Sequence, residues 1–442
     1  MNENQPSQRD VTRREFVRTA AGAAVAAPLL ASGLSVARSA WVSGSDSLRV
    51  GLVGCGGRGT GAAIQALRAD KGAVLLAMAD VFPERIVSSL KHIKDQFASE
   101  ESPRVQVTQA TQFDGFDCCE RLIASGVDVV LLATPPAFRP AQMRTAVNAG
   151  VHMFTEKPMA VDAPGLREVR RVCEEARAKN LNVVSGFCWR YSDAERATFA
   201  KIHDGAIGRV LSVHTTYHTS TLSKRPRQDA WSDMEWQLRN WWHFNWLSGD
   251  HIVEQACHSI DKLAWAMNDE MPVRCVALGG RAAREGPESG DVFDHFTVIY
   301  EYADGRRCFH TCRQIDRCPS DNSDYIYGTS GAATVNGWTP THDLRDHDGN
   351  TTWRYDGPRR DMYQNEHDAL FSAIRAGKPI NDGPWMVNSV MMAIMGRMAA
   401  YTGQTIAWDK AWESQQRLGP EHLEMGELAV GPVPVPGRTR FE

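Results

Sequence analysis

The chain has 442 residues, 43% of them hydrophobic and 23% charged, with a formal net charge of −4. That length accommodates two domains with cores of their own, and the composition is ordinary for a soluble globular protein. A slightly acidic chain without a basic stripe excludes nucleic acid as a partner.

The first element belongs to no core. Thr12-Arg13-Arg14-Glu15-Phe16-Val17-Arg18 precedes an alanine-rich, mildly apolar run from Ala20 to Leu34. Paired arginines ahead of a weakly hydrophobic segment read as a twin-arginine export signal, assigned to residues 1–38. The run is shorter than the roughly 20 strongly apolar residues of a membrane span, and Gly22, Pro28 and Gly33 interrupt it. The expectation is a protein handled by export machinery at the membrane and delivered folded to the periplasm. Folding before export also bears on the ten cysteines. Cys118-Cys119 are adjacent and Cys308, Cys312 and Cys318 lack zinc-ligand spacing, so buried thiols are expected and no disulfide.

Residues 48–53 read as an apolar strand running into Gly54-Cys55-Gly56-Gly57-Arg58-Gly59, with a helical pattern over 60–67. Gly54 permits a tight turn, Gly56 lets backbone approach a pyrophosphate, and Gly59 lets helix pack on strand. The anion then rests on the N–H groups at the helix N-terminus, so Gly57 and Arg58 count with the cofactor residues. A second buried strand, 73–79, ends at Asp80 at the spacing the fingerprint expects. An acid there accepts hydrogen bonds from ribose hydroxyls and repels a 2′-phosphate, which favours NAD, with NADP the alternative. Asp80 also has a plainer reading, as the cap of the turn over 81–84.

Strand and helix then alternate to residue 186, as a parallel sheet requires. Helix 83–97 is followed by a strand near 105–107, helix 118–124 and a doubly buried strand over 127–133 that ends at Thr134-Pro135-Pro136. Helix 139–149 leads to strand 151–154 and Thr155-Glu156-Lys157-Pro158, then helix 163–178 and strand 182–187. Thr134, Pro135, Glu156 and Lys157 therefore fall at the carboxyl edge of the sheet, where ligands bind. This gives an α/β fold whose N-terminal Rossmann dinucleotide-binding domain spans 48–186. From 187 to 442 the pattern changes to a C-terminal α+β domain with a mostly antiparallel open sheet. Residues 211–217 alternate at period two, 292–302 and 306–313 form a hairpin about Ala303-Asp304-Gly305, and 324–328 is a further strand. Helices over 366–376 and 385–402 pack back on the body.

Three groups carry candidate chemistry. Lys157 at the sheet edge can donate to a substrate oxygen or to the nicotinamide ribose, although most lysines beside turns are simply solvated. In Gly249-Asp250-His251-Ile252-Val253-Glu254-Gln255-Ala256-Cys257-His258-Ser259-Ile260-Asp261, a continuous helix would put Glu254 and His258 on one face. A carboxylate there would hold the imidazole as a general base, and a polar helix face capped by Asp250 is the other reading. His251, Glu254 and His258 lack the His-Glu-x-x-His spacing of a zinc site, and no metal is expected. Trp231, Trp236, Trp241, Trp242 and Trp246 cluster with Arg239, Asn240 and His243. Indoles offer flat faces to pyranose rings, and they also build interfaces and packed loops.

These motifs together resemble the glucose–fructose oxidoreductase / inositol dehydrogenase (Gfo/Idh/MocA) family. The resemblance covers nearly everything after the signal. It rests on the glycine loop 54–59, Ala133-Thr134-Pro135-Pro136, Ala149-Gly150-Val151-His152 leading to Glu156-Lys157-Pro158, Gly186-Phe187 through Arg190-Tyr191, and His258-Ser259-Ile260-Asp261. It implies a catalytic Lys157, His258 as general base, and a carbohydrate or cyclitol substrate oxidised by bound nicotinamide. Substrate contacts are expected from Arg190, Tyr191, Trp241, Trp242, His251 and Asp261, and a homo-oligomer from the open sheet. Two positions depart from the family pattern: Glu254 stands where Asp is common, and Arg139 where a histidine is common. Some exported relatives are NAD-recycling glycoside hydrolases, an alternative that the Glu-Lys-Pro signature makes second to simple oxidation. A non-catalytic sugar sensor on the same fold is the third reading.

Overall fold

The computed structural model describes residues 47–100 and 103–441; the export signal expected over residues 1–38 lies outside them. The first half lays six parallel strands into one sheet: β1 (Leu48–Val53), β2 (Ala73–Ala79), β3 (Gln112–Phe113), β4 (Val129–Leu132), β5 (His152–Thr155) and β6 (Val183–Ser185), in the order β3-β2-β1-β4-β5-β6. Their crossovers are α1 (Gly57–Ala69), α2 (Pro83–Gln96), α3 (Cys118–Ala124), α4 (Arg139–Asn148) and α5 (Ala163–Ala178). β4 and β5 are buried at every position, as strands covered by helices on both faces must be. The strand expected near 105–107 is reduced to one bridge, Val105 with Leu75, and Gln112–Phe113 takes the outer edge beside β2 instead.

The second half contains α6 (Asp193–His203), β7 (Val210–Thr219), α7 (Asp233–Arg239), α8 (Asn245–Ser248), α9 (His251–Glu254) and α10 (Cys257–Ala266). Strands β8 (Arg274–Gly280), β9 (His295–Glu301), β10 (Arg307–Gln314), β11 (Asp324–Gly328), β12 (Ala332–Asn336), β13 (Thr341–Arg345) and β14 (Thr351–Arg354) follow. The chain closes with α11 (Met362–Ala376), α12 (Gly383–Thr402), β15 (Ile406–Ala407), α13 (Trp408–Glu413) and an extended tail. The nine strands β7 to β15 order as β14-β13-β12-β11-β7-β10-β9-β8-β15. Only β7 with β10 is parallel, and every other pairing is antiparallel.

One face of this sheet packs on α12, whose residues are buried along nearly the whole helix. The opposite face is open and carries Leu278, Phe309 and Tyr327, which are 77%, 36% and 50% exposed. α11 returns to the first half: its Leu370, Phe371 and Ile374 complete the apolar core formed by β1, β2 and α1. A smaller core joins Phe82, just after β2, to Met234, Trp236, Leu238, Phe244 and Leu247. The ten cysteines are free thiols.

Candidate active site and dinucleotide cleft

The glycine loop shows which of its positions are closed by packing and which are open. Gly54 has φ +94°, and a Cβ there would lie 2.6 Å from the carbonyl carbon of Ala133. At Gly59 a Cβ would stand 1.8 Å from the Gly54 oxygen, so α1 sits on β1 too closely for any side chain. Gly56 and Gly57 face nothing within 4 Å. Gly56 is the N-cap of the 13-residue α1, so the free backbone N–H groups of a long helix look into open space, the condition for cradling a phosphate.

That space is a cavity of about 740 Å³ running from Gly54–Gly59 past Asp80 and Thr134-Pro135 to Trp241 and Trp242. Asp80 is buried; its Oδ2 accepts the Cys55 N–H at 2.7 Å and its Oδ1 the Phe82 N–H at 3.0 Å. Burial pushes its pKa up, opposed by those two N–H groups. Each oxygen keeps a lone pair for a ribose hydroxyl, so the turn-capping and ribose-binding readings of Asp80 coexist. The open glycines, the close-packed ones and an acid at the end of β2 fit a dinucleotide.

Arg58 and Glu156 were expected on the cofactor, and they are engaged with each other. The Arg58 Nε lies 2.5 Å from Glu156, its Nη2 2.8 Å from Glu366 on α11, and its guanidinium rests over the Tyr363 ring. Arg58 still borders the cavity, but its charge is spent tying the glycine loop to the last third of the chain. Trp241 and Trp242, assigned to a sugar ring, line the dinucleotide cavity.

The chemical centre lies at the end of β5. Lys157 Nζ donates to Glu254 Oε1 at 3.1 Å and to the Glu254 carbonyl at 2.5 Å. Burial pulls the Lys157 pKa down, but Glu254, Cys257 and Glu156 outweigh it and hold the ammonium charged, above its ordinary range. His258 packs edge-on against Phe187, and its Nδ1 has no partner. Burial, then the charges of Lys157 and Lys262, press its pKa well below the usual value, so the imidazole is neutral.

The expected Glu254–His258 hydrogen bond is therefore corrected to Glu254–Lys157. The cause is local: α9 stops at Glu254, Gln255 takes φ −110° and ψ −55°, and α10 starts at Cys257. The four-residue spacing does not lie on one continuous helix.

Four of the six residues expected to touch substrate serve packing instead. Arg190 makes a two-pronged pair with Asp261, 3.0 Å and 2.9 Å, between the rings of Trp265 and Trp385. Tyr191 donates to Asp382 at 2.7 Å. His251 is buried against Phe296 and pairs with Asp250. These side chains are long and polar, which drew attention to them in the sequence, but each meets its partner inside the protein.

One residue escaped the sequence reading, and a second was met there only as a departure from the family pattern. Tyr217 on β7 is buried and electrostatically coupled to Lys157 and Glu254. Arg139, the first residue of α4, is buried; it donates to the Pro158 carbonyl and, at 2.5 Å, to the Thr134 carbonyl. It thus staples the ends of β4 and β5, the two loops that carry the cofactor edge and Lys157. Burial pulls its pKa down to about 10. An arginine three residues after Thr134-Pro135-Pro136, in a stretch reading as a buried crossover, was the available signal.

Residues 48–187 match the family described as "Oxidoreductase family, NAD-binding Rossmann fold", and residues 196–334 match the GFO/IDH/MocA C-terminal domain. The chain belongs to the Gfo/Idh/MocA family. It is an NAD-binding oxidoreductase of that family, and NAD is the group the cleft fits. Among similar proteins, the 2,7-anhydro-N-acetylneuraminate hydratase of Mediterraneibacter gnavus is 25% identical over 60% of this chain and 67% of its own length. The inositol 2-dehydrogenase of Rhizobium meliloti is 24% identical over 76% of this chain and 93% of its own. A levoglucosan dehydrogenase solved with NADH and levoglucosan superposes with a TM-score of 0.65 at 18% identity, covering 82% of this chain and 99% of its own.

Proposed function

We propose that this protein transfers hydride between a secondary alcohol of a sugar, cyclitol or glycoside and a tightly held NAD. The observation that carries the proposal is the Lys157–Glu254 ion pair beside a neutral His258 at the carboxyl edge of the parallel sheet. Gly56 and Gly57 would hold the pyrophosphate and Asp80 the adenosine ribose, and bound NAD supplies a hydride acceptor at carbon 4 of its nicotinamide. The protein handles the proton. Neutral His258 takes it from the substrate hydroxyl, the Lys157 ammonium stabilises the oxygen as negative charge builds there, and Glu254 keeps Lys157 charged and aimed. In the reverse direction the same groups return the proton to a carbonyl oxygen.

The sugar and inositol dehydrogenases among the similar proteins support this substrate class. The Mediterraneibacter gnavus relative, named a hydratase, supports a second reading in which the sugar is oxidised, altered and re-reduced with no net change in cofactor. The Arg13-Arg14 signal supports twin-arginine export to the periplasm, where the NAD must arrive bound. The open sheet face with Leu278, Phe309 and Tyr327 we assign to a second copy of this chain.

The test is absorbance in the reduced-nicotinamide band, recorded on protein carrying its NAD while sugars, cyclitols and glycosides are added singly. A rise that a ketose or lactone reverses supports oxidation. Release of an aglycone or hydrated product without a lasting rise selects the recycling reaction. Bound NAD with neither signal across the panel counts against both.

A further inference from the structure

The wall of the dinucleotide cavity farthest along the chain is held from behind by the C-terminal tail. Leu238 to Trp242 line the cavity. On their near side Arg239 pairs with Glu84 at 2.7 Å and lies 3.8 Å over the Phe82 ring, which joins this wall to the Asp80 end of the cleft. On their far side runs the tail. The Met234 N–H donates to Gly426 at 3.1 Å, the Leu428 N–H to Asp233 at 3.1 Å, and Gln237 Nε2 to the Leu428 carbonyl at 2.7 Å.

Gln237 is 1% exposed, and both ends of its amide are used. Its Oε1 accepts the Trp246 Nε1–H at 2.7 Å. Upstream, Gly419 lies flat on Trp246, where a Cβ would come within 2.8 Å of the indole. The Leu418 N–H donates to Asp162 at 2.9 Å, the same carboxylate that caps α5. The tail thus runs from a helix cap in the nucleotide-binding half to the back of the cavity wall.

We propose that residues 418–428 are a clasp on the bound dinucleotide and that Gln237 is the positioning residue through which the clasp holds the wall. The proposal rests on the reading that the cavity holds NAD. With the tail seated, α7 cannot move off Phe82, so the cofactor leaves only when this hydrogen-bonded layer opens. With Gln237 altered, the wall loses its tether while the glycine loop, Asp80 and Lys157 stay as they are.

The experiment loads the full-length protein with NADH, chases with excess NAD and follows loss of bound-NADH fluorescence, alongside the unfolding midpoint without cofactor. Gln237→Ala removes both bonds. Gln237→Glu keeps an acceptor for Trp246 but sets an oxygen against the Leu428 carbonyl, so it breaks the tail bond alone. Leu428→Ala keeps the backbone bonds and removes the side chain that packs the tail against the core of Met234, Trp236 and Leu238. The expected result is NADH release faster by about tenfold or more in all three, carried by the dissociation rate, with sugar oxidation at saturating NAD unchanged. Release within about twofold of wild type in Gln237→Glu and Leu428→Ala overturns the clasp. So does release that rises only in step with a falling midpoint. Absence of any NADH binding by the wild type instead overturns the reading of the cleft, and the clasp with it.

Discussion

Lys157 keeps its proton in a place where burial works against the charge, and the Glu254 carboxylate at 3.1 Å is the largest of the groups that oppose it. Glu254→Gln keeps the shape and removes the charge. The Lys157 pKa then falls from above its ordinary value, and the alkaline limb of the kcat–pH profile moves to lower pH. Lys157→Met removes the oxygen-stabilising charge and lowers kcat by roughly 10²–10⁴-fold, with the NAD dissociation constant little changed; steady-state rates and an NADH titration check both. The glycines separate in the same way. Gly59→Ala drives a methyl to 1.8 Å of the Gly54 oxygen and is expected to lower the unfolding midpoint and abolish NAD binding. Gly57→Ala meets nothing within 4 Å and is expected to keep the midpoint while weakening NAD, by filling the space the phosphates need. Calorimetry with and without NAD distinguishes the two.

At the scale of elements, the strands and helices of the first half, the edge strand β3 apart, were legible because each buried strand ends in a recognisable turn: Gly54, Asp80, Thr134-Pro135, Glu156-Lys157-Pro158. The break between α9 and α10 was not, because Gln255 and Ala256 are ordinary helix formers and no proline or glycine marks the kink. Glu254 therefore meets Lys157, where a continuous helix would have set it beside His258. Burial was equally invisible for Arg190, Tyr191 and Asp261, whose partners Asp269, Trp385, Ser389 and Asp382 lie far along the chain. The Arg139 staple belongs to this scale too, since it couples two strand ends. Arg139→Lys offers one compact ammonium in place of a fork that reaches two carbonyls. It is expected to cost about 10²-fold in kcat by letting Lys157 shift, with a smaller change in NAD affinity than Gly57→Ala. Matched kinetics and NADH titrations on the two variants check this.

For the molecule as a whole, acid sensitivity is built into buried imidazoles. His367 on α11 lies against Phe154, and burial, with Arg58 nearby, pulls its pKa down to about 3. The unfolded chain takes up that proton as pH falls below about 6.5 and the folded chain does not, so this group's contribution to stability is lost on acidification. Compared with His367→Gln, the wild type is expected to lose about 2 kcal/mol of relative stability between pH 7 and pH 5, read from urea unfolding at each pH. Asp382, lifted by burial to about 6, works in the opposite direction and is common to both proteins. The position of His367 also bears on how this protein can be taken apart. α11 places Leu370, Phe371 and Ile374 in the core beneath β1 and lends Glu366 to Arg58 of the glycine loop. A chimera that exchanges everything after residue 187 for the substrate half of another oxidoreductase would import a foreign helix into the nucleotide-binding core. Swapping sugar specificity onto this scaffold therefore requires a discontinuous graft, in which residues 362–376 stay behind with the strands they cover.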